Sequence, residues 1–139
     1  MSIELVPLAT MSVVLRAPLM LDGTPVGSRW IFEVESGVIE GERINAKMKG
    51  QSSADWFVIG PEGTGTLDVR ALAETDDGAL VFIQYNGRVD LSTGTPGPTY
   101  AAPRFETGDA RYAWLNKIQS VAKGRLDGSN LVYEIYEVR

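Results

Sequence analysis

The stretch LDVRALAETDDGALVFIQY, residues 67–85, decides the fold. In its first half the apolar residues alternate with polar ones and share one face: Leu67, Val69, Ala71 and Ala73. The second half repeats the alternation with Ala79, Val81, Ile83 and Tyr85. A period of two is typical of a half-buried β-strand. Between the halves, Asp77-Gly78 supplies residues that tolerate positive φ, so the stretch predicts an antiparallel hairpin.

The same alternation extends outward along most of the chain. Ile3 to Arg16 predicts one long strand bent at Pro7, with these residues on one face: Ile3, Leu5, Met11, Val13 and Leu15. Trp30, Phe32 and Val34 predict a second strand, with a tight break at Ser36-Gly37 before a strand from Val38 to Met48. Asp55 to Ile59 predicts a short strand, and the Gly- and Pro-rich segment Leu91 to Pro98 predicts a loop.

The end of the chain predicts a closing strand pair, Tyr112 to Arg125 with Leu131 to Val138, joined by a turn at residues 126–130. Only residues 110–122 offer any argument for a helix, and because no strong capping residue is evident we predict a strand there. These predictions assign more than half of the residues to strands, whereas about 20–25% of residues lie in strands in ordinary domains. We therefore predict an all-β fold: one domain, residues 1–139, forming a closed antiparallel β-barrel of about eight to ten strands.

Composition excludes several classes of function. The 139 residues include no cysteine and no histidine, which removes disulfides, thiolate metal sites and every nucleophile that relies on a histidine base. The net charge of -5 argues against nucleic acid as a principal partner. No secretory signal or membrane-spanning run is evident, so we expect a soluble cytoplasmic protein with no membrane partner. Any acid–base chemistry must use Asp, Glu, Tyr, Lys or Arg, and we expect neither a cofactor nor a metal.

The chain resembles a bacterial family known as domain-of-unknown-function family 3237, also called uncharacterised protein family 0311. The resemblance rests on stretches that run in family order across about two-thirds of the chain: residues 24–29, 37–41, 50–56, 67–70, 75–79, 85–87 and 105–116. It implies a lipocalin-like barrel and a small homo-oligomer, and it implies no reaction. One departure is visible, because Ser53-Ala54 stands where Gly-Gly is often expected before Asp55-Trp56.

Asp55 and Trp56 form the first candidate site. Asp55 shares the face of Phe57 and Ile59, so the alternation points its carboxylate into the barrel. Burial in an apolar cavity raises the pKa of a carboxyl group, which suits a general acid or base. The alternative is an aspartate at the start of a strand that accepts hydrogen bonds from local backbone amides.

Tyr112, Trp114 and Asn116 form the second candidate. At i, i+2 and i+4 on the predicted strand they share one face, where stacking and an amide hydrogen bond would orient a small organic ligand. The alternative is core packing.

Two other tyrosines are further candidate ligand contacts: Tyr85, on the apolar face of the hairpin, and Tyr100, after the Pro- and Gly-rich loop. Tyr133 and Tyr136 fall on opposite faces of the last strand, so at most one faces inward.

Arg29 is the candidate cation. At the start of a strand it would stabilise an oxyanion at the barrel mouth. Arg70 shares a face with Asp68 and Glu74 and is expected in surface ion pairs instead.

We therefore expect a barrel that binds a small organic molecule, aromatic or carbonyl-bearing. Its chemistry would be that of a cofactor-free isomerase, lyase, hydratase or cyclase, with Asp55 as acid or base. A carrier that catalyses nothing is the first alternative, and an assembly protein with a solidly packed barrel is the second. An enzyme or a carrier requires a cavity inside the barrel, whereas an assembly protein does not. A buried carboxylate at that cavity would favour the enzyme over the carrier.

Overall fold

A computed structural model describes all 139 residues, and more than half of them lie in strands. The chain forms eleven strands and two short 3₁₀ helices. The strands are β1 (Leu5–Leu15), β2 (Leu19–Thr24), β3 (Gly27–Glu40), β4 (Asn45–Met48), β5 (Ala54–Ile59), β6 (Thr64–Thr75), β7 (Leu80–Asp90), β8 (Thr99–Ala101), β9 (Arg104–Glu106), β10 (Ser120–Asp127) and β11 (Asn130–Val138). The helices are Pro61–Gly63 and Ala110–Lys117, and the second is called the plug helix below. No helix is long and apolar enough to cross a membrane.

The strands close into an antiparallel barrel with eight positions around its circumference. The first strand, β1, lies between β3 and β11, and β8 joins β10 to β7. Two positions are each shared by a pair of strands: β4 and β5 both lie between β3 and β6, while β8 and β9 both pair with β7. Strand β2 stands outside the ring and pairs with β3 alone. The predicted closed barrel is confirmed.

The hairpin predicted from residues 67–85 is present as β6 and β7. Its register runs without interruption from Thr64 opposite Asp90 to Glu74 opposite Leu80. The predicted apolar face is buried in the barrel: Leu67, Val69, Ala71, Ala73, Ala79, Val81, Ile83 and Tyr85. Inward-facing and outward-facing residues alternate in both strands without interruption. The sequence pattern therefore predicted correctly which residues of this hairpin face the interior.

Two β-bulges move side chains away from their predicted faces. In β1 the register with β11 shifts between Pro7 and Ala9. Met11 and Val13 are buried as predicted, but Ile3 and Leu5 are 75% and 51% exposed, so their predicted place on the same face is wrong. The predicted break at Ser36-Gly37 is also wrong, since β3 continues to Glu40 and absorbs the irregularity as a register shift against β1. One extra residue reverses the alternation beyond a bulge.

The strand predicted from Tyr112 to Arg125 is wrong in its first half. Residues Ala110–Lys117 form the plug helix, and β10 begins only at Ser120. The carboxylate of Asp109 caps the helix by accepting the backbone N–H of Arg111 at 2.9 Å. Leu115 is completely buried beneath it. This cap is of the kind that starts helices, and the sequence analysis missed it.

An ion pair and a stacking contact hold the plug helix across one end of the barrel. The guanidinium of Arg43 lies 3.8 Å from the centre of the Trp114 ring. The same group donates to the Glu137 carboxylate at 2.8 Å, and Glu137 lies near the end of β11. With Leu115 completely buried beneath it, the helix covers this end of the barrel.

Tyr133 depends on a glycine for its place in the barrel. It lies opposite Gly124 in the β10–β11 register and is completely buried. A Cβ atom on Gly124 would come within 2.6 Å of the Tyr133 ring. Because that is far inside van der Waals contact, the ring lies in space that only a glycine leaves free.

We expect Gly124→Ala to lower the free energy of unfolding by about 1–3 kcal/mol, as overpacking does in well-packed interiors. The measurement is urea unfolding followed by tryptophan fluorescence. Gly108→Ala is the matched control, because a Cβ on Gly108 meets nothing within 4 Å. The control should stay within about 0.5 kcal/mol of the parent chain. Equal stability of Gly124→Ala and the parent would contradict the packing described.

Candidate functional site

A cavity of about 430 Å³ occupies the end of the barrel opposite the plug helix. Its walls are largely apolar and include Trp30, Phe32, Phe57, Ile59, Leu67 and Leu131. Three connections form the mouth: residues 16–18 between β1 and β2, residues 91–98 between β7 and β8, and Gly128-Ser129 between β10 and β11. A volume of this order is typical of pockets that hold one small organic molecule.

Asp55 brings a carboxylate into the apolar wall of this cavity. It lies on β5, and its side chain faces the barrel interior on the same side of the strand as Phe57. Its Oδ1 accepts the backbone N–H of Asp68, on β6, at 3.0 Å. Between the paired residues Asp55 and Val58 of β5, Trp56 and Phe57 have no paired partner in β6. The β5–β6 register before this gap is the same as the register after it. The carboxylate thus takes the place of a backbone carbonyl in an interrupted strand ladder.

Burial raises the pKa of Asp55 from its ordinary 3.8 to about 7. The hydrogen bond from the Asp68 amide opposes this rise, and the nearby charge of Asp68 adds to it. Desolvation is the largest of these effects because the charged form loses its water in an apolar wall. A carboxyl group with this pKa is present in both protonation states at neutral pH, which is what a general acid or base requires.

A smaller cavity, called the inner cavity below, lies on the other side of Asp55. Its volume is about 20 Å³, and it shares Leu15, Asp55 and Leu131 with the main cavity. Tyr85 and Tyr133 line it, with their rings edge to face at 5.7 Å and 76°. The hydroxyl oxygen of Tyr133 is buried and forms no short hydrogen bond, although the Tyr85 hydroxyl approaches it as a donor. Burial raises the pKa of both tyrosines and the charge of Asp55 adds to the rise, while the contact between the two hydroxyls raises the pKa of Tyr85 and lowers that of Tyr133. The net shift is upward for both, so both keep their protons at neutral pH.

Of the predicted site residues, Asp55 and Tyr85 face the interior, whereas Arg29, Trp56 and Tyr100 face outward. Arg29 Nη1 donates to the backbone carbonyl of Trp56 at 3.1 Å on the outer surface. The Trp56 residue is 47% exposed and Tyr100 is 55% exposed, the latter with Lys123 Nζ 5.7 Å from its ring centre. Strand alternation explains all three, because each is a neighbour of a residue that faces inward.

Tyr112, Trp114 and Asn116 lie at the wrong end of the barrel to meet Asp55. All three belong to the plug helix. Tyr112 donates its hydroxyl to the Asp77 carboxylate at 2.9 Å, and Asn116 exchanges two hydrogen bonds with the backbone of Thr107. Their contacts fasten the helix to the barrel, and the predicted row of three on one strand face is wrong.

Two residues of the cavity region were not singled out from the sequence. Arg16, just beyond the end of β1, lines the mouth and is its only cation. Tyr133 was recognised only as one of two tyrosines on opposite faces, and it is the inward one. Its alternation with buried Leu131 and Ile135 was the available signal. No group of three or more acidic side chains gathers where it could hold a metal ion.

Comparison with known proteins identifies relatives of this barrel. A family model described as "protein of unknown function (DUF3237)" matches residues 3–138. A protein of Rhodopseudomonas palustris (strain TIE-1), named as a UPF0311 protein, is 29% identical over 125 residues, which cover 81% of each chain. The resemblance found in the sequence is confirmed.

Solved structures share the architecture. A crystal structure described as a beta-barrel-like protein from Acinetobacter baumannii superposes with a TM-score of 0.89 at 29% identity, over 100% of this chain and 98% of that one. A protein of Penicillium herquei described as an enzyme superposes with a TM-score of 0.74 at 18% identity, over 99% and 94% of the two chains. At that identity the likeness concerns the fold alone.

The position of Asp55 predicts how stability depends on pH. Between its ordinary pKa of 3.8 and about 7, Asp55 is protonated in the folded chain and ionised in the unfolded chain. The folded state therefore binds more protons, and its stability falls as the pH rises through this window, by up to about 1.4 kcal/mol per pH unit. Above the window both states are ionised and the loss is complete.

We expect Asp55→Asn to remove this decline, because its amide oxygen still accepts the Asp68 N–H while no charge is buried. Urea unfolding from about pH 4 to about pH 8 measures the free energy of unfolding of both proteins. The stability of the variant relative to the parent should grow across the window and then level off. Parallel pH curves would show that Asp55 has an ordinary pKa. Glu35→Gln, on the exposed surface, is the control and should leave the curve unchanged.

Proposed function

Because the chain belongs to the protein family of unknown function DUF3237, which carries no assigned reaction, we propose a function from the cavity itself. The protein is proposed to bind a small organic molecule, aromatic or carbonyl-bearing, and to act on it as a cofactor-independent acid–base enzyme. Isomerisation and cyclisation need only a proton moved between positions, and elimination or hydration needs in addition only the loss or addition of water. Asp55 would carry that proton.

One observation carries the proposal: an ionisable carboxyl group, with a pKa of about 7, lies in the wall of an otherwise apolar cavity. Sheets seldom bury a carboxylate that has no cationic partner, because its desolvation costs far more than the burial of an apolar side chain gains. Such a group is typical of active sites, where burial is used to tune a pKa toward the working pH. Positioned proton transfer of this kind contributes about a hundredfold to ten-thousandfold in rate.

The walls indicate the chemical class of the ligand. Trp30, Phe32 and Phe57 present aromatic surface to the cavity, and the Phe32 ring lies between the other two, with centroids at 6.4 and 6.0 Å. Aromatic walls favour flat, unsaturated ligands through offset and edge-to-face contacts. At the mouth, Arg16 offers one positive charge to an anionic substituent. Arg29 is not part of the proposal, because it lies on the outer surface.

A ligand carrier is the second candidate function. The observation in its favour is that Asp55 Oδ1 already accepts the backbone N–H of Asp68. This hydrogen bond links β5 to β6, so a structural role alone would explain the carboxylate. A carrier needs the same cavity but no proton transfer. The two functions differ in what Asp55→Asn does to turnover, while both predict that the variant still binds ligand.

Deuterium exchange tests the enzyme directly and needs no knowledge of the natural substrate. Aryl ketones with exchangeable α-hydrogens are incubated with the protein in deuterium oxide, and incorporation is followed by NMR. We expect exchange that is faster than the buffer rate, with a pH profile that turns near the pKa of Asp55, about 7. Asp55→Asn should lower the rate by at least about a hundredfold.

The control for this experiment is Glu35→Gln, which changes a carboxylate on the exposed surface and should leave the exchange rate unchanged. Binding of the same ketones is measured in parallel by calorimetry. Ketones that bind without any accelerated exchange would favour the carrier. Exchange that survives intact in Asp55→Asn would remove Asp55 from the mechanism.

A further inference from the structure

We propose that the inner cavity receives the carbonyl oxygen of the substrate and that the Tyr133 hydroxyl donates a hydrogen bond to it. The substrate class would then be a ketone or ester with an ionisable α-C–H, which reacts through an enolate. This inference rests on the proposed function and assigns Tyr133 a catalytic part within it.

The first support is the unused donor. Tyr133 is completely buried on β11, and its hydroxyl forms no short hydrogen bond with any protein atom. The Tyr85 hydroxyl approaches it as a donor, so the O–H of Tyr133 itself is left without an acceptor. Buried polar groups almost always form a hydrogen bond, and one left unpaired in a packed interior calls for an explanation. A phenylalanine would fill the same space over Gly124 without that cost. The hydroxyl is therefore best explained by a partner that arrives with the ligand.

The second support is the size of the space. The inner cavity, at about 20 Å³, has room for roughly one water-sized group and cannot hold a ring. Its other walls are mainly aliphatic, among them Met11, Val13 and Val69. One oxygen atom, projecting inward from a molecule whose body fills the main cavity, matches this volume.

The third support is the position of Asp55. Together with Leu15 and Leu131 it forms part of the wall of both cavities, so it stands at the boundary between them. A carbonyl oxygen in the inner cavity would place the adjacent α-carbon beside the carboxylate. A donor at the oxygen and a base at the α-hydrogen are the two groups that enolisation requires.

The chemistry balances without any further reagent. Asp55, ionised, accepts the proton of the α-C–H bond, and the electron pair of that bond becomes the carbon–carbon double bond of the enolate. The π pair of the carbonyl moves to oxygen, where the Tyr133 hydroxyl donates to the developing charge. Where the substrate has a β,γ double bond, the enolate is a dienolate, and return of the proton from Asp55 to its γ-carbon moves the double bond to the α,β position and restores the carboxylate.

A matched pair of probes tests this assignment: 2-acetylnaphthalene, which carries a carbonyl, and 2-isopropenylnaphthalene, which has the same shape without the oxygen. The dissociation constants of both are measured by calorimetry for the parent, Tyr133→Phe and Tyr136→Phe. Tyr136 is the control because its hydroxyl donates to Glu134 on the outer face. We expect Tyr133→Phe to lower the preference for the ketone by roughly fivefold to tenfold, the effect of one buried hydrogen bond. Tyr136→Phe should leave it unchanged.

The carbonyl stretching frequency of bound 2-acetylnaphthalene gives a second readout, which does not depend on the variant folding. In the parent protein it should lie below the frequency measured in hexane. Two results would overturn the inference and leave the proposed function standing: both probes bind but Tyr133→Phe leaves the preference unchanged, or the frequency of the bound ketone equals that in hexane. The second of these would show that the bound carbonyl accepts no hydrogen bond. Failure of both probes to bind the parent chain would overturn both this inference and the proposed function.

Discussion

The pairing of the first strand with the last is the constraint on which the molecule depends. Because β1 pairs with β3 on one side and β11 on the other, the sheet has no free edge within the ring. Closure forces each strand residue to face either the interior or the solvent. A polar group that alternation turns inward must then find a partner within a small space. Asp55 does so with the Asp68 amide, whereas the O–H of Tyr133 is left without an acceptor.

Sequence patterning predicted the fold and part of the site because strand alternation is a local property. It placed the β6–β7 hairpin correctly, pointed Asp55 and Tyr85 inward and separated Tyr133 from Tyr136. It failed where one added residue reverses the alternation, as at the bulge in β1, since the register of a bulge is set by the opposite strand. It also failed for the plug helix, whose Asp109 cap is a single residue and whose stability comes from contacts with distant residues such as Arg43.

Asp55 links the chemistry to the architecture. Its carboxylate completes a gap in the β5–β6 ladder and also lies in the wall of the cavity, so one group serves the sheet and the site. The hydrogen bond from the Asp68 amide fixes its orientation without another charged side chain. A surrounding of apolar side chains, rather than a charged partner, then determines its pKa. This is how a chain without histidine obtains a group that titrates near neutrality.

The two ends of the barrel differ in how they are covered. The plug helix covers one end, held by the stacking of Arg43 on Trp114 and by buried Leu115, whereas the mouth is formed by three connections that take little part in the ring of paired strands. Substitutions in these connections should therefore reshape the mouth without disturbing the strand pairs that close the barrel, so the opening and the scaffold can be redesigned separately.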